Sequence, residues 1–473
     1  MVFSSLFFVY AFFPLCMLLY YISPSIKWRN GVLLVFSLIF YSWGEPLFVL
    51  LMLATVVINY FLGLAVERAE TDAGARFYMG LSVLVSLGSL GFFKYAGFFV
   101  ETINGIAGTS IPAPQVALPI GISFYTFQIL TYVIDVYRGK VPAQRSLLRL
   151  LLYICCFHQL IAGPIVRYED VANEIEDRSA SQKDIAEGIK RFVIGFSKKV
   201  LIANMCGKVV GEILDGDIAK TTVICAWYGI IMYSLQIYFD FSAYSDMAIG
   251  MGRMCGFHYK ENFDYPYISK SVTEFWRRWH MSLGSFFRDY VYIPLGGNRR
   301  HQFINLFAVW FLTGMWHGAS WNFIIWGLYF FVFLVLEKFV YGKALAKVPA
   351  LAHVYLLLIV VVGWAFFYYT DVTDAFALLK VMFGFSGNAF SDAFATAQIS
   401  GSLMIFQIAV ICCMPVGSML AKLFTDGTEQ LDRPSAGRGL VKFAGGLMLA
   451  ALFVISSIML VGESYNPFLY FRF

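Results

Sequence analysis

Long runs without an acidic residue, lysine or arginine punctuate the chain. They cover residues 2–26, 46–66, 102–134, 221–239, 351–370, 393–421 and 443–462. Each is close to or above the roughly 20 apolar residues that a helix needs to cross a bilayer. Short segments with lysine and arginine separate many of them. The pattern predicts spanning helices joined by loops, among them a polar loop at residues 426–438.

The middle of the chain departs from this pattern. Residues 170–199 mix charged and apolar positions at helical spacing, which predicts a helix lying along the membrane surface. Residues 258–300 carry seven Lys/Arg and four Asp/Glu but many aromatics, too much charge for a span. Within them Ser271 and Glu274 fit a capping box. The following EFWRRWHMSLGSFFRDY predicts one helix, with Trp276, His280 and Gly284 on one face at i, i+4 spacing. These changes divide one integral membrane domain into N-terminal helices (residues 1–115), a core (116–344) and C-terminal helices (345–473). No internal repeat is visible, which weakens a secondary-transporter reading.

Composition fixes the class. A soluble chain of 473 residues would split into two to four domains and carry about 25% charged residues. This one is 59% hydrophobic, 18% aromatic and 14% charged. It reads as an all-α polytopic membrane protein with the lipid bilayer as its solvent. The net charge of +5 is spread over loops, so it carries topology and not a nucleic-acid footprint. The first run lacks a basic leader and is too long for a cleavable signal, which predicts a retained span. Lys27 and Arg29, then Arg68 and Arg76, then Arg138, Lys140, Arg145 and Arg149 recur after alternate spans. That alternation predicts an extracytoplasmic N-terminus, cytoplasmic basic loops and roughly ten to twelve crossings. The eight cysteines (16, 155, 156, 206, 225, 255, 412 and 413) show neither zinc spacing nor a disulfide framework and read as small buried hydrophobes.

Ionisable groups inside apolar sequence mark functional candidates. The first is His317, the sole histidine or charged residue from 302 to 336. Gly314 and Gly318 flank it, and Trp316, Trp321 and Trp326 lie near. Glycines admit a close neighbour, and indoles give an apolar wall with one N–H donor each. Loss of water disfavours a charged form, and a neutral imidazole can take a proton from a hydroxyl. His317 is therefore a candidate general base, with a structural core histidine as the alternative. No second ligand stands at metal spacing, so no metal is expected. His280 is the second candidate. Asp240, Tyr244 and Asp246 form a third set; the two aspartates serve either a site or helix packing through arginine pairs. Asp135 with Tyr132 and Tyr137 reads as structural. Lys94, in FFKYAGF, reads as a lysine snorkelling to a headgroup layer.

The motifs then add a resemblance. LPIGISFYTFQILTYVIDVYRG (118–139), LIAGPIVR (160–167), YFDFSAYSDMAIGMG (238–252), the whole of 261–300, GMWHGASWNFIIWG (314–327) and the terminal SYNPFLYFRF, with MVFSS at the start, resemble the membrane-bound O-acyltransferase (MBOAT) family. The likeness is to its bacterial branch, which serves alginate O-acetylation and, more distantly, teichoic acid D-alanylation. It covers essentially the whole chain. CFHQLIAGP departs from the branch by placing His158 at a usual proline, and His158 is given no catalytic role.

The resemblance implies a ring of tilted helices around a thinned centre, with a tunnel. It implies catalytic His317 and a second histidine, His280, which orients a substrate or polarises the carbonyl. It also implies a tunnel lined or braced by Asp240, Tyr244, Ser245, Asp246, Trp279 and Trp316. Arg277 and Asn298, with Arg278, Arg299 and Arg300, stand where a donor's phosphates would pass. The expected reaction carries an acetyl group from a cytoplasmic thioester, acetyl-CoA or another, to hydroxyls of an exported polysaccharide, with no bound cofactor. A periplasmic or surface SGNH-type partner is implied, as is a bacterial inner-membrane location. D-alanyl transfer to teichoic acid is the alternative, and a channel or transporter the reading from a different class.

Overall fold

The computed structural model describes residues 1–161, 163–416 and 436–462, together with 466, 468 and 469. The described residues are helical, with no strand among them. Most of the expected polar loop at 426–438, and most of the terminal motif, lie outside them. Seven of the described helices are long and apolar enough to cross a membrane, against the roughly ten to twelve crossings expected from the charge pattern. The difference lies in apolar sequence broken into shorter pieces. Residues 8–21 form a short helix, residues 108–121 are irregular, and residues 302–317 make only 16 residues of helix.

The architecture is organised around Val223–Met254, here called the central helix, which is buried along nearly all its length. Thr222 caps it by accepting from the Cys225 N–H at 3.3 Å. Its 32 residues reach about 48 Å at 1.5 Å per residue. Small residues on one face let a second rod lie against it. A methyl group at Gly188 would meet the Gly250 carbonyl, and one at Gly250 would meet the Phe192 backbone.

That second rod corrects the surface-helix expectation. Gln182–Ser197 continues through a π-helical turn, Lys198–Ala203, into Asn204–Leu214. It runs antiparallel to the central helix, with Asp184 by Arg253 at one end and Leu214 by Gly229 at the other. Its charges are matched to its neighbour: Arg191 and Lys198 lie 2.9 and 2.7 Å from Asp246, and Lys199 lies 2.6 Å from Asp240. An amphipathic pattern records a face that needs polar partners, and here that face meets another helix. The two aspartates do pair for helix packing, with two lysines and one arginine.

The predicted single helix over residues 274–290 is also corrected. Val272–Arg278 ends, His280 takes a left-handed backbone at φ +44°, and Met281–Phe287 begins on a new axis. The face shared by Trp276, His280 and Gly284 is therefore broken. A strap from Asn262 to Asp264 holds the break, since Met281 N–H donates to the Asn262 carbonyl and Asp264 N–H to the Arg278 carbonyl, each at 2.9 Å. The capping box forms by half. Ser271 accepts from the Glu274 N–H, while the Glu274 carboxylate reaches the Lys270 N–H.

Next comes the helical hairpin of Gln302–His317 and Trp321–Leu336, whose axes approach at Gly314 and Gly327. A methyl at Gly327 would press on the Trp310 carbonyl, and one at Gly314 on the Phe323 carbonyl. Gly327→Ala is expected to destabilise the detergent-solubilised protein by about 1–3 kcal/mol through overpacking. Gly88→Ala, where nothing lies within 4 Å, should be neutral or stabilising. Thermal unfolding followed by intrinsic tryptophan fluorescence checks both.

Candidate active site

His317 is the last residue of the helix Gln302–His317, here called the histidine helix, and Gly318 leaves it in extended conformation. The last carbonyls of a helix have no partner within it. Here they are satisfied from the long helix Asp72–Ala107. Lys94 Nζ donates to the Trp316 carbonyl at 2.5 Å and to the His317 carbonyl at 3.3 Å. The neighbouring Tyr95 hydroxyl donates to the Met315 carbonyl at 2.5 Å. Lys94 is buried and also reaches Ser123 Oγ at 3.4 Å. It does not snorkel. Its Nζ sits at the negative end of the helix dipole, where donors are favoured. Sequence reading missed this role, because nothing in FFKYAGF says which helix end lies above it.

The imidazole of His317 faces a small cavity of about 40 Å³. Rings surround it edge to face: Trp316 at 4.9 Å, Trp326 at 5.0 Å and Phe367 at 5.1 Å between centroids. Of the three indoles near it in sequence, Trp321 points outward and is 49% exposed. Asp240, Trp279 and Trp316 line the same cavity, as do Trp364, Phe468 and Leu469. Lys199 and the Leu469 N–H, at 2.8 Å, hold Asp240, so that acid enters the site already paired. The chain just before Phe468 is anchored as well. Asn466 accepts from Ser4 Oγ and Asn204 Nδ2, and donates to the Ser4 carbonyl at 3.0 Å. The indole nitrogens of Trp316 and Trp326 have no hydrogen-bond partner among the described residues.

His280 lies behind this wall, its ring 5.8 Å from Trp316 and 4.7 Å from Phe241. The break in the helix turns it inward, where it is 2% exposed. Its Nδ1 lies 3.0 Å from Asn262 Oδ1.

The remaining candidates separate. Tyr244 is stacked between Phe3 and Phe468, outside the cavity lining. Ser245 and Asp246 open on a different, polar pocket of about 440 Å³ with Arg191, Lys198, Glu261 and Asn262. Arg277, Asn298, Arg299 and Arg300 are exposed and line neither space. Arg278 is bound to Asp264 and Glu274 at 2.9 and 3.1 Å. Asp135 is fully buried and accepts from the Tyr290 hydroxyl at 2.5 Å. His158 is buried beside Cys156, Cys255 and Tyr259. Among the described residues no three metal-ligating side chains gather.

The site thus offers an imidazole in an apolar cavity, held by its own backbone, with a second imidazole one ring away. That arrangement suits acyl transfer to a hydroxyl. Known proteins agree. The description "MBOAT, membrane-bound O-acyltransferase family" matches residues 140–373. The chain is 38% identical to "Probable alginate O-acetylase AlgI" of Azotobacter vinelandii over the whole of both chains. It is 32% identical to the "Peptidoglycan O-acetyltransferase" of Helicobacter pylori over 82% of this chain and 80% of that one. It is 31% identical to the "Teichoic acid D-alanyltransferase" of Bacillus subtilis over 46% and 59%. With relatedness running end to end and the histidine in its apolar cavity, the chain belongs to the membrane-bound O-acyltransferase family and is a multi-pass membrane enzyme that transfers acyl groups.

Proposed function

We propose that this enzyme moves an acetyl group from a cytoplasmic thioester, acetyl-CoA or a similar donor, to hydroxyls of an exported, alginate-like polysaccharide. The carrying observation is His317 at the capped end of its helix, facing an apolar cavity. The full-length likeness to an alginate O-acetylase supports the polymer. The basic residues that pair at one end of the molecule, Arg145 with Glu67, Arg149 with Glu176 and Arg253 with Asp184, support assigning that end to the cytoplasm. The N-terminus is then extracytoplasmic and the membrane the bacterial inner membrane.

His317 takes the proton of the acceptor hydroxyl as its oxygen attacks the thioester carbonyl. The tetrahedral intermediate collapses, the C–S bond breaks and the thiol leaves with a proton. General-base assistance of this kind contributes about 10²- to 10⁴-fold, and fixed geometry adds to it. Lys94 and Tyr95 supply that geometry by fixing the backbone under the imidazole. Asp240 and Lys199 brace the wall opposite. Acetyl-CoA has phosphates to place, and the exposed Arg277, Arg299 and Arg300 with Asn298 are candidates at the surface and not in the cavity. A secreted SGNH-type partner would carry the acetyl group onward to the polymer. The D-alanyltransferase relative supports a second reading, D-alanine passed to a teichoic-acid-like polymer.

A deletion strain complemented with each variant tests the proposal, with polymer esters measured by mass spectrometry and membrane content by immunoblot. The intact gene should restore acetyl ester; restored D-alanyl ester selects the second reading. His317→Ala should reduce the ester by about 100-fold or more at normal protein level, and retained acetylation removes the central claim. Lys94→Met, which uncaps the histidine helix without touching the imidazole, should reduce it by about 10- to 100-fold.

A further inference from the structure

Asn262 joins three segments beside His280. Its Oδ1 lies 3.2 Å from the Ser282 N–H, 2.8 Å from the Ser282 hydroxyl and 3.0 Å from His280 Nδ1. Its Nδ2 donates to the Gly163 carbonyl at 3.3 Å and to Ser245 Oγ at 3.0 Å. The backbone therefore tells the two ends of the amide apart. An N–H can only donate, so the atom facing Ser282 is oxygen; a carbonyl can only accept, so the atom facing Gly163 is nitrogen. Ser282 Oγ accepts from the Ile165 N–H at 2.9 Å and gives its own hydrogen to Oδ1.

With Oδ1 fixed as an acceptor, the ring nitrogen 3.0 Å away carries a hydrogen, since two facing lone pairs would repel. A neutral imidazole protonated on Nδ1 has its lone pair on Nε2. That Nε2 is buried and has no partner among the described residues. It belongs to a ring packed against Phe241 and Trp316, both of which line the His317 cavity. Asn262 is itself 1% exposed.

We infer that Asn262 is a positioning residue that fixes His280 as a hydrogen-bond acceptor, so that Nε2 holds a donor group of a substrate and does not polarise the thioester carbonyl. The inference rests on the acyl-transfer reading of this site. The attacking hydroxyl has one hydrogen, which goes to His317. His280 therefore holds a different donor, either an amide N–H of the thioester's arm or a neighbouring hydroxyl of the sugar.

The test separates the two ends of the Asn262 amide. Asn262→Asp keeps an acceptor toward His280 and loses the donor toward Gly163 and Ser245; Asn262→Leu loses both. In the complemented deletion strain, total polymer ester of any acyl type is measured relative to the unmodified gene. Asn262→Asp should stay within about threefold, whereas Asn262→Leu should fall about tenfold or more at equal membrane content. A merely structural role predicts equal loss in both, and that result, or an unaffected Asn262→Leu, overturns the inference. Should Asn262→Leu fail to accumulate, Asn262→Asp decides alone, and a loss beyond about tenfold overturns it. An ester other than acetyl would refute the proposed substrate while leaving this comparison intact; no ester at all from the unmodified gene would refute both. In membrane vesicles of the Asn262→Leu protein, a raised KM for acetyl-CoA assigns the donor group to the thioester arm, and an unchanged KM assigns it to the acceptor.

Discussion

An apolar interior supplies no water, so each polar group buried there needs a partner from the protein. This constraint governs the arrangement around the central helix. Asp240 is met by Lys199 and Asp246 by Arg191 and Lys198. Asp135 is met by Tyr290, and the open carbonyls of the histidine helix by Lys94 and Tyr95. Removing one member of such a pair strands the other in a medium that does not solvate it, which costs far more than the pair itself gains. The helices are consequently locked in register by charge as well as by shape. Against that background, unsatisfied groups carry information. His280 Nε2 and the indole nitrogens of Trp316 and Trp326 are among them, and all three stand at or just behind the His317 cavity.

The site is assembled from remote segments because no single helix could supply it. The histidine helix brings the imidazole; the helix carrying Lys94 holds the backbone beneath it; the break at His280 brings the second imidazole; the central helix brings Asp240. Left-handed backbone at a non-glycine residue costs energy and persists where the surroundings impose it. Asn262 and the strap on either side of it do so at His280. The π-helical turn at Lys198–Ala203 lies where Lys199 reaches Asp240. At these two places irregular backbone accompanies a side chain that reaches the site.

Some of this was legible in the sequence. The charge-free runs located most of the long helices, and a lone histidine among glycines and indoles marked His317. Features that depend on adjacency in space were not legible. Lys94 reads as an interfacial lysine because its partners are carbonyls 222 and 223 positions away. The stretch 170–199 reads as a surface helix because many of the partners of its charges belong to other segments. His280 reads as mid-helix because no glycine or proline announces the break, which the strap at Asn262 imposes from outside. Asn262 itself sits in NFDYPY without any signal, and Trp321 cannot be told from Trp316 by neighbourhood alone. Arg277 and Asn298 stand inside well-matched motifs, yet their side chains face away from the cavity.

Phe468 and Leu469 wall the cavity, and Asn466 ties that segment to Ser4 and Asn204. A ribosome therefore makes His317 about 150 residues before it makes this wall. During synthesis the cavity stays open on that side until residue 469 has left the exit tunnel and found its place against Asp240. Without Asn466 the chain still carries His317 and both aspartates, but it lacks the clasp to Ser4 and Asn204. The cavity is thus walled by a stretch of chain remote in sequence from its histidine, and the fold has to bring the two together.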